Sequence, residues 1–156
     1  MKAVLSFALV VLSSAFAQAG SLNPDGSAWT VVRKTCGTDV VAPTKNEEIR
    51  FDNTRLVRIL TVTDGAKECR QALVYSRLIL SAGTVNSEVY QETSQINGEG
   101  KREVCNGPEG KTDKVLEFRT MPANISVVIK GSQGTLQIMG AQECNGAQLM
   151  LTLQRK

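Results

Sequence analysis

The chain of 156 residues contains no histidine. A Ser-His-Asp or Cys-His catalytic constellation cannot be assembled without it, and histidine-based metal sites are excluded too. Aromatic residues make up only 4% of the sequence, which argues against a base-stacking platform for single-stranded nucleic acid. The formal net charge is +3 and drops by one when Lys2 is discounted, too weak an excess to suggest a nucleic acid or an anionic membrane as partner. Closely spaced cysteines are missing as well. Cys36, Cys69, Cys105 and Cys144 stand at least 33 residues apart, so a zinc site has neither the spacing nor the histidines it would need. An even number of cysteines in an exported chain reads instead as two disulfides.

The one long apolar run lies at the start. Lys2 supplies a positive n-region, Ala3 to Leu12 an apolar h-region, and Ala17-Gln18-Ala19 a small-x-small cleavage site. Residues 1–19 are read as a signal peptide, too short to span a bilayer. Residues 20–27 are read as an N-terminal arm, and 28–156 as one domain. No cysteine follows the cleavage site, so a lipid anchor is not expected. A secreted or periplasmic protein without a transmembrane segment follows. The remaining ~137 residues suit a single domain that buries roughly two-thirds of its unfolded surface.

The rest of the chain reads as all-β. Val, Ile, Thr and Leu fill short runs, and Gly, Asn, Asp and Ser separate them. Strands are expected at 28–36, 48–63, 67–80, 84–97, 113–119, 123–130, 134–140 and 147–154. The second is long, and Asp52-Asn53-Thr54 marks where it could break or bulge. Turns are expected at Thr63-Asp64-Gly65, Ser81-Ala82-Gly83, Gly131-Ser132-Gln133-Gly134 and Asn145-Gly146. Met121-Pro122-Ala123 should interrupt pairing. Two connections look long, Gly37 to Glu47 and the glycine-rich, charged Gly98 to Thr112. Alternation is clearest where Leu149, Leu151 and Leu153 share one face. Trp29 with Val31, Leu73 with Tyr75, Ile125 with Val127 and Ile129, and Leu136 with Ile138 repeat it. One apolar and one mixed face describes an antiparallel sheet buried on one side.

Three local patterns carry little chemistry. Glu47, Glu48, Asp52, Glu88 and Glu92 are the candidates for paired acid–base carboxylates, but such groups on strand faces are ordinarily solvated. Gly110-Lys111-Thr112 matches the close of a phosphate loop, yet Cys105 stands where the opening glycine belongs and no strand-to-helix context surrounds it. Asn124-Ile125-Ser126 is a glycosylation sequon only in a eukaryotic source.

The signal peptide, Trp29 in Gly26-Ser27-Ala28-Trp29, eight up-and-down strands and Arg155 at the end of the last strand resemble the lipocalins and their calycin relatives. The resemblance covers Ala28 to Lys156. It implies a single antiparallel eight-stranded β-barrel in which the first and last strands are neighbours and Arg155 lies over the Trp29 indole at the floor. It also implies a cup for a small hydrophobic or amphipathic ligand, in a monomer without cofactor or catalytic residues. Alternation assigns the lining to Val31, Leu73, Tyr75, Arg77, Val89, Leu149 and Leu151, with Trp29 towards the floor. Tyr75 and Arg77 would place a hydroxyl and a charge in an apolar interior, where a ligand head group or an interior Glu could satisfy them. The Gly37–Glu47 connection, with Val40, Val41 and Pro43, is expected to form a lid. In this topology Cys36 and Cys144 lie at the mouth and Cys69 and Cys105 at the floor, giving the pairs Cys36–Cys144 and Cys69–Cys105. A protein-binding module, such as a protease inhibitor using the Gly20–Gly26 arm, is the alternative. An envelope structural protein is a third reading.

Overall fold

The computed structural model describes residues 22–119 and 122–156. The expected signal peptide, the first residues of the expected arm and Met121 lie outside them. The described chain forms ten β-strands: β1 (Ala28–Cys36), β2 (Asp39–Val41), β3 (Glu48–Asp52), β4 (Arg55–Asp64), β5 (Lys67–Val85), β6 (Val89–Gly107), β7 (Gly110–Arg119), β8 (Ala123–Lys130), β9 (Gln133–Ile138) and β10 (Leu149–Arg155). A 3₁₀ turn at Gln142–Cys144 precedes β10.

Eight of these strands form a closed antiparallel ring in the order β1, β3, β4, β5, β6, β8, β9, β10, with β10 returning to β1. Closure sets Trp29 opposite Arg155 and Cys36 opposite Leu149. The alternating residues of the sequence point inward. Trp29, Ile49, Leu56, Ile125, Val127, Ile129, Leu136, Leu149, Leu151 and Leu153 are all 1% exposed or less. Each such side chain contributes roughly 1.5–3 kcal/mol by leaving water. Together they fill the interior.

Two expected strands differ from those observed, and the differences offset each other. The 48–63 run is a hairpin, β3 and β4, joined through Asn53-Thr54. Phe51 and Leu56 are both buried and stand opposite one another. Five residues apart, they could not share a face of one continuous strand, because side chains alternate with period two. The 113–119 run lies in β7, which pairs only with β6 and stands outside the ring.

The β5–β6 hairpin also departs from expectation. Ser81-Ala82-Gly83 is strand, and the turn comes later, where Asn86 and Ser87 take φ of 52° and 57°. Gly98–Thr112 is not a loop. β6 runs to Gly107, and β7 returns from Gly110. Gly, Glu and Lys are poor strand formers, but here cross-strand partners hold them, as in the Arg102–Asp113 ion pair at 2.6 Å.

The end of the ring at which β1 finishes is its upper end. Strand alternation puts the start of β5, the end of β6 and the 3₁₀ turn there as well. The disulfides are Cys36–Cys144 and Cys69–Cys105, the pairs expected. The floor position expected for Cys69 and Cys105 is corrected: all four cysteines lie toward the upper end. The reason is the β3–β4 hairpin, which adds a reversal before β5 and so inverts its direction.

Candidate functional site: a cleft at the upper end of the ring

β4 carries Leu56, Arg58 and Leu60 on its inward face. Arg58 is therefore driven into the interior by its neighbours' alternation, and it is 2% exposed. A buried guanidinium must be paired. Its Nε donates to Glu47 Oε1 at 2.6 Å, and its terminal nitrogens donate to both carboxylate oxygens of Glu143. Lys34 on β1 donates to Glu143 Oε2 at 2.5 Å, and Glu47 accepts the Thr44 backbone N–H at 3.1 Å. The network ties β1, the loop before β3, β4 and the 3₁₀ turn together. Beside it, the Cys36–Cys144 bond pins the same turn covalently.

Burial alone would lower the Arg58 pKa, but hydrogen bonding to Glu143 and the charges of Glu47 and Glu143 push it well above the ordinary arginine value. Burial alone would raise the Glu143 carboxyl, but Arg58 and Lys34 hold it below its usual range. Burial, then the Glu99 carboxylate, push the Tyr75 phenol far above its ordinary value, so it stays a neutral hydroxyl.

A half-open cleft of about 190 Å³ adjoins this network. β4, β5 and β6 supply one wall with Arg58, Leu60, Leu73, Tyr75 and Glu99. The other wall is Ile138, Ala141, Gln142, Glu143 and Leu149, from the end of β9 through the 3₁₀ turn into β10. A larger groove of about 360 Å³ includes Thr30, Glu48, Glu68, Arg70 and Lys156. It is polar, and Glu48 there is engaged by Lys156 and Arg50.

Of the residues expected to line a cup, the structure brings Leu73, Tyr75 and Leu149 together at the cleft. Trp29, Val31 and Leu151 belong to the packed core beneath it. Arg77 is apart from them at the lower end, in a second buried network. It donates to Glu92, to Asp25 at 2.6 Å and to the Asp52 carbonyl, and lies 5.6 Å from the centroid of the Phe51 ring. Tyr90 and Ser94 donate their hydroxyls to the same Glu92. Arg77 thus finds an interior Glu rather than the cleft. Val89 starts β6 at the lower hairpin tip, between Val85 and Lys130. Val40 and Val41 form β2 against the end of β1 and are 67% and 37% exposed. They do not line the cleft, so the expected lid is corrected to a short edge strand. Arg155 lies over the Trp29 ring at 5.0 Å.

Sequence reasoning missed Arg58 and Glu143, and it weighed Glu47 only as an acid–base candidate or a solvated charge. The available signal was Leu56-Arg58-Leu60, a charge at an inward position of an alternating run. Glu143 had no such signal, because only the ring's closure carries it to Arg58. Compared with protein-family models, curated proteins and solved structures, the chain finds no match.

Proposed function

We propose that the protein is an exported lipocalin-like barrel that binds a small amphipathic molecule at its upper end. The supporting observation is the cleft, where Leu60, Leu73, Ile138 and Leu149 offer apolar contact and Tyr75, Gln142 and Glu143 offer polar groups. Sites of this kind combine apolar walls with a few placed polar groups, usually at roughly 300–1,000 Å³. At about 190 Å³ this cleft admits a fragment-sized ligand or one end of a longer one. The two disulfides suit an oxidising compartment.

Native mass spectrometry of the protein from its source, with titration of a lipophilic fluorescent probe, tests this reading. Leu73→Trp, which fills the cleft, should abolish probe binding and leave the fold unchanged. No co-purifying molecule, together with equal probe binding by the variant, overturns it.

The filled interior favours a second reading, a protein-binding module. The inhibitor-arm form of it finds no support in the described part of the arm. Leu22 packs against the core, Asp25 pairs with Arg77, and the Gly26 N–H donates to the Phe51 carbonyl, so these residues are fastened to the ring.

A further inference from the structure

The sheet has four open strand edges among the described residues, and they are not alike. β4 beyond Ile59 has a neighbour only on the β5 side, but this stretch is five residues long and ends in Asp64. β2 is three residues long. β7 pairs only with β6, and it carries Lys111, Asp113 and Lys114. Short length and charge are the usual protections of a free edge. The fourth edge is the last part of β5. Pairing with β4 ends at Ser76, and the Arg77 N–H reaches the Thr54 carbonyl. From Leu78 to Val85 the strand has a neighbour only on the β6 side. These eight residues, Leu-Ile-Leu-Ser-Ala-Gly-Thr-Val, include no charge and no proline. Leu78, Leu80 and Val85 are 51%, 58% and 40% exposed.

Two rows of the wall beside this edge are also without charge, while the row of Val85 and Val89 reaches Lys130 at the lower tip. Register sets Ser81, Thr93, Ser126, Gln137 and Met150 in one row across β5, β6, β8, β9 and β10. Gly83, Gln91, Val128, Thr135 and Thr152 form the next. Both rows lie on the outer face, since Glu92 and Ser94 between them are buried. Many of the chain's charges lie elsewhere, on β3, β4, the start of β5, the upper half of β6 and β7.

We propose that the Leu78–Val85 edge is a self-association site, at which a second copy of this chain pairs antiparallel about a two-fold axis. A two-fold contact sets each patch against itself, so a patch with charge of one sign would repel its own image. This edge and the two rows beside its centre have no such charge. Pairing satisfies the outward backbone groups of the edge and covers Leu78, Leu80 and Val85. An eight-residue edge spans about 26 Å and buries less than the ~1,600 Å² of a standard interface. The dimer is therefore weak and concentration-dependent. This inference is independent of the ligand cleft.

Sedimentation velocity of the oxidised mature protein from about 1 µM to about 1 mM tests it. The expected result is a weight-average mass rising toward twice the monomer's. Amide exchange should slow with concentration within Leu78–Val85. Leu80→Lys, at an exposed site that leaves the fold intact, should weaken association about tenfold or more, since it sets like charges across the seam. Val115→Lys, on the charged edge of β7, should not. A monomer at every concentration, including one that captures a foreign peptide strand instead, overturns the proposal. So does equal behaviour of the two variants, or protection that develops elsewhere.

Discussion

Arg155 and Trp29 are 126 positions apart in the chain and meet because β10 closes on β1. The indole is fully buried, and its Nε1 donates to Ser27 Oγ at 2.5 Å. Arg155→Ala should cost about 0.5–2 kcal/mol and shift Trp29 emission. Unchanged emission and an unchanged denaturation midpoint would show Arg155 to be a solvated chain end. Glu143 makes a second residue-scale case. Arg58 and Lys34 depress its pKa below the ordinary 4.5. A depressed carboxylate stabilises the fold above its unfolded pKa, and that contribution is lost as pH falls through the folded one. The protein should therefore lose stability progressively below about pH 4.5. Glu143→Gln should be less stable at neutral pH, with a shallower acid limb in denaturant titrations. Parallel acid limbs would contradict this. Both contacts join residues far apart in sequence. The first could be anticipated from a closed topology; the second could not, because the 3₁₀ turn has no periodic signal.

At the scale of elements, hydrophobic alternation identified the interior strands well. β8, β9 and β10 are buried at the alternate positions expected. It failed where burial does not govern pairing. The upper part of β6 and the start of β7 pair largely through polar and charged residues, and no inward apolar stripe marks them. The turn signal at Ser81-Ala82-Gly83 was overridden by the ladder to β6, which passes Ile79–Ser81 with a bulge. The disulfides staple different elements, with loop spans of 108 and 36 residues. The chain-entropy model makes the longer closure worth about 1 kcal/mol more, with about 4–5 kcal/mol for the longer one in all. Replacing Cys36 and Cys144 with Ser should accordingly lower stability more than the same change at Cys69 and Cys105. The first pair also pins the turn carrying Glu143, which enlarges the gap. Equal losses in chemical denaturation would show that the Arg58 network holds the turn without the bond.

On the scale of the whole molecule, the ring and its outlying strands should differ in stability. Ring strands have neighbours on both sides and a packed core behind them along most of their length, Leu60–Asp64 and Leu78–Val85 excepted. β7 has one neighbour. Local opening follows contact and burial, so native-state hydrogen exchange should find β8 and β10 slowest and β7 fastest among the strands. Uniform protection would make the sheet one cooperative unit. The sequence by itself determined the all-β class and the inward positions of most ring strands, because alternation is local; the expected cysteine pairs formed, but not for the expected reason, since all four cysteines lie toward one end. The sequence did not determine which segments make up the ring, although the first and last strands meet as expected. A split in one run and an excluded strand elsewhere left the count at eight while reversing the direction of β5. Only the tertiary structure decided that Arg58 meets Glu143, that Arg77 meets Glu92, and that a small cleft remains at one end of a filled interior. These depend on ring closure and on how side-chain volumes add up across strands distant in sequence, and no local pattern encodes either.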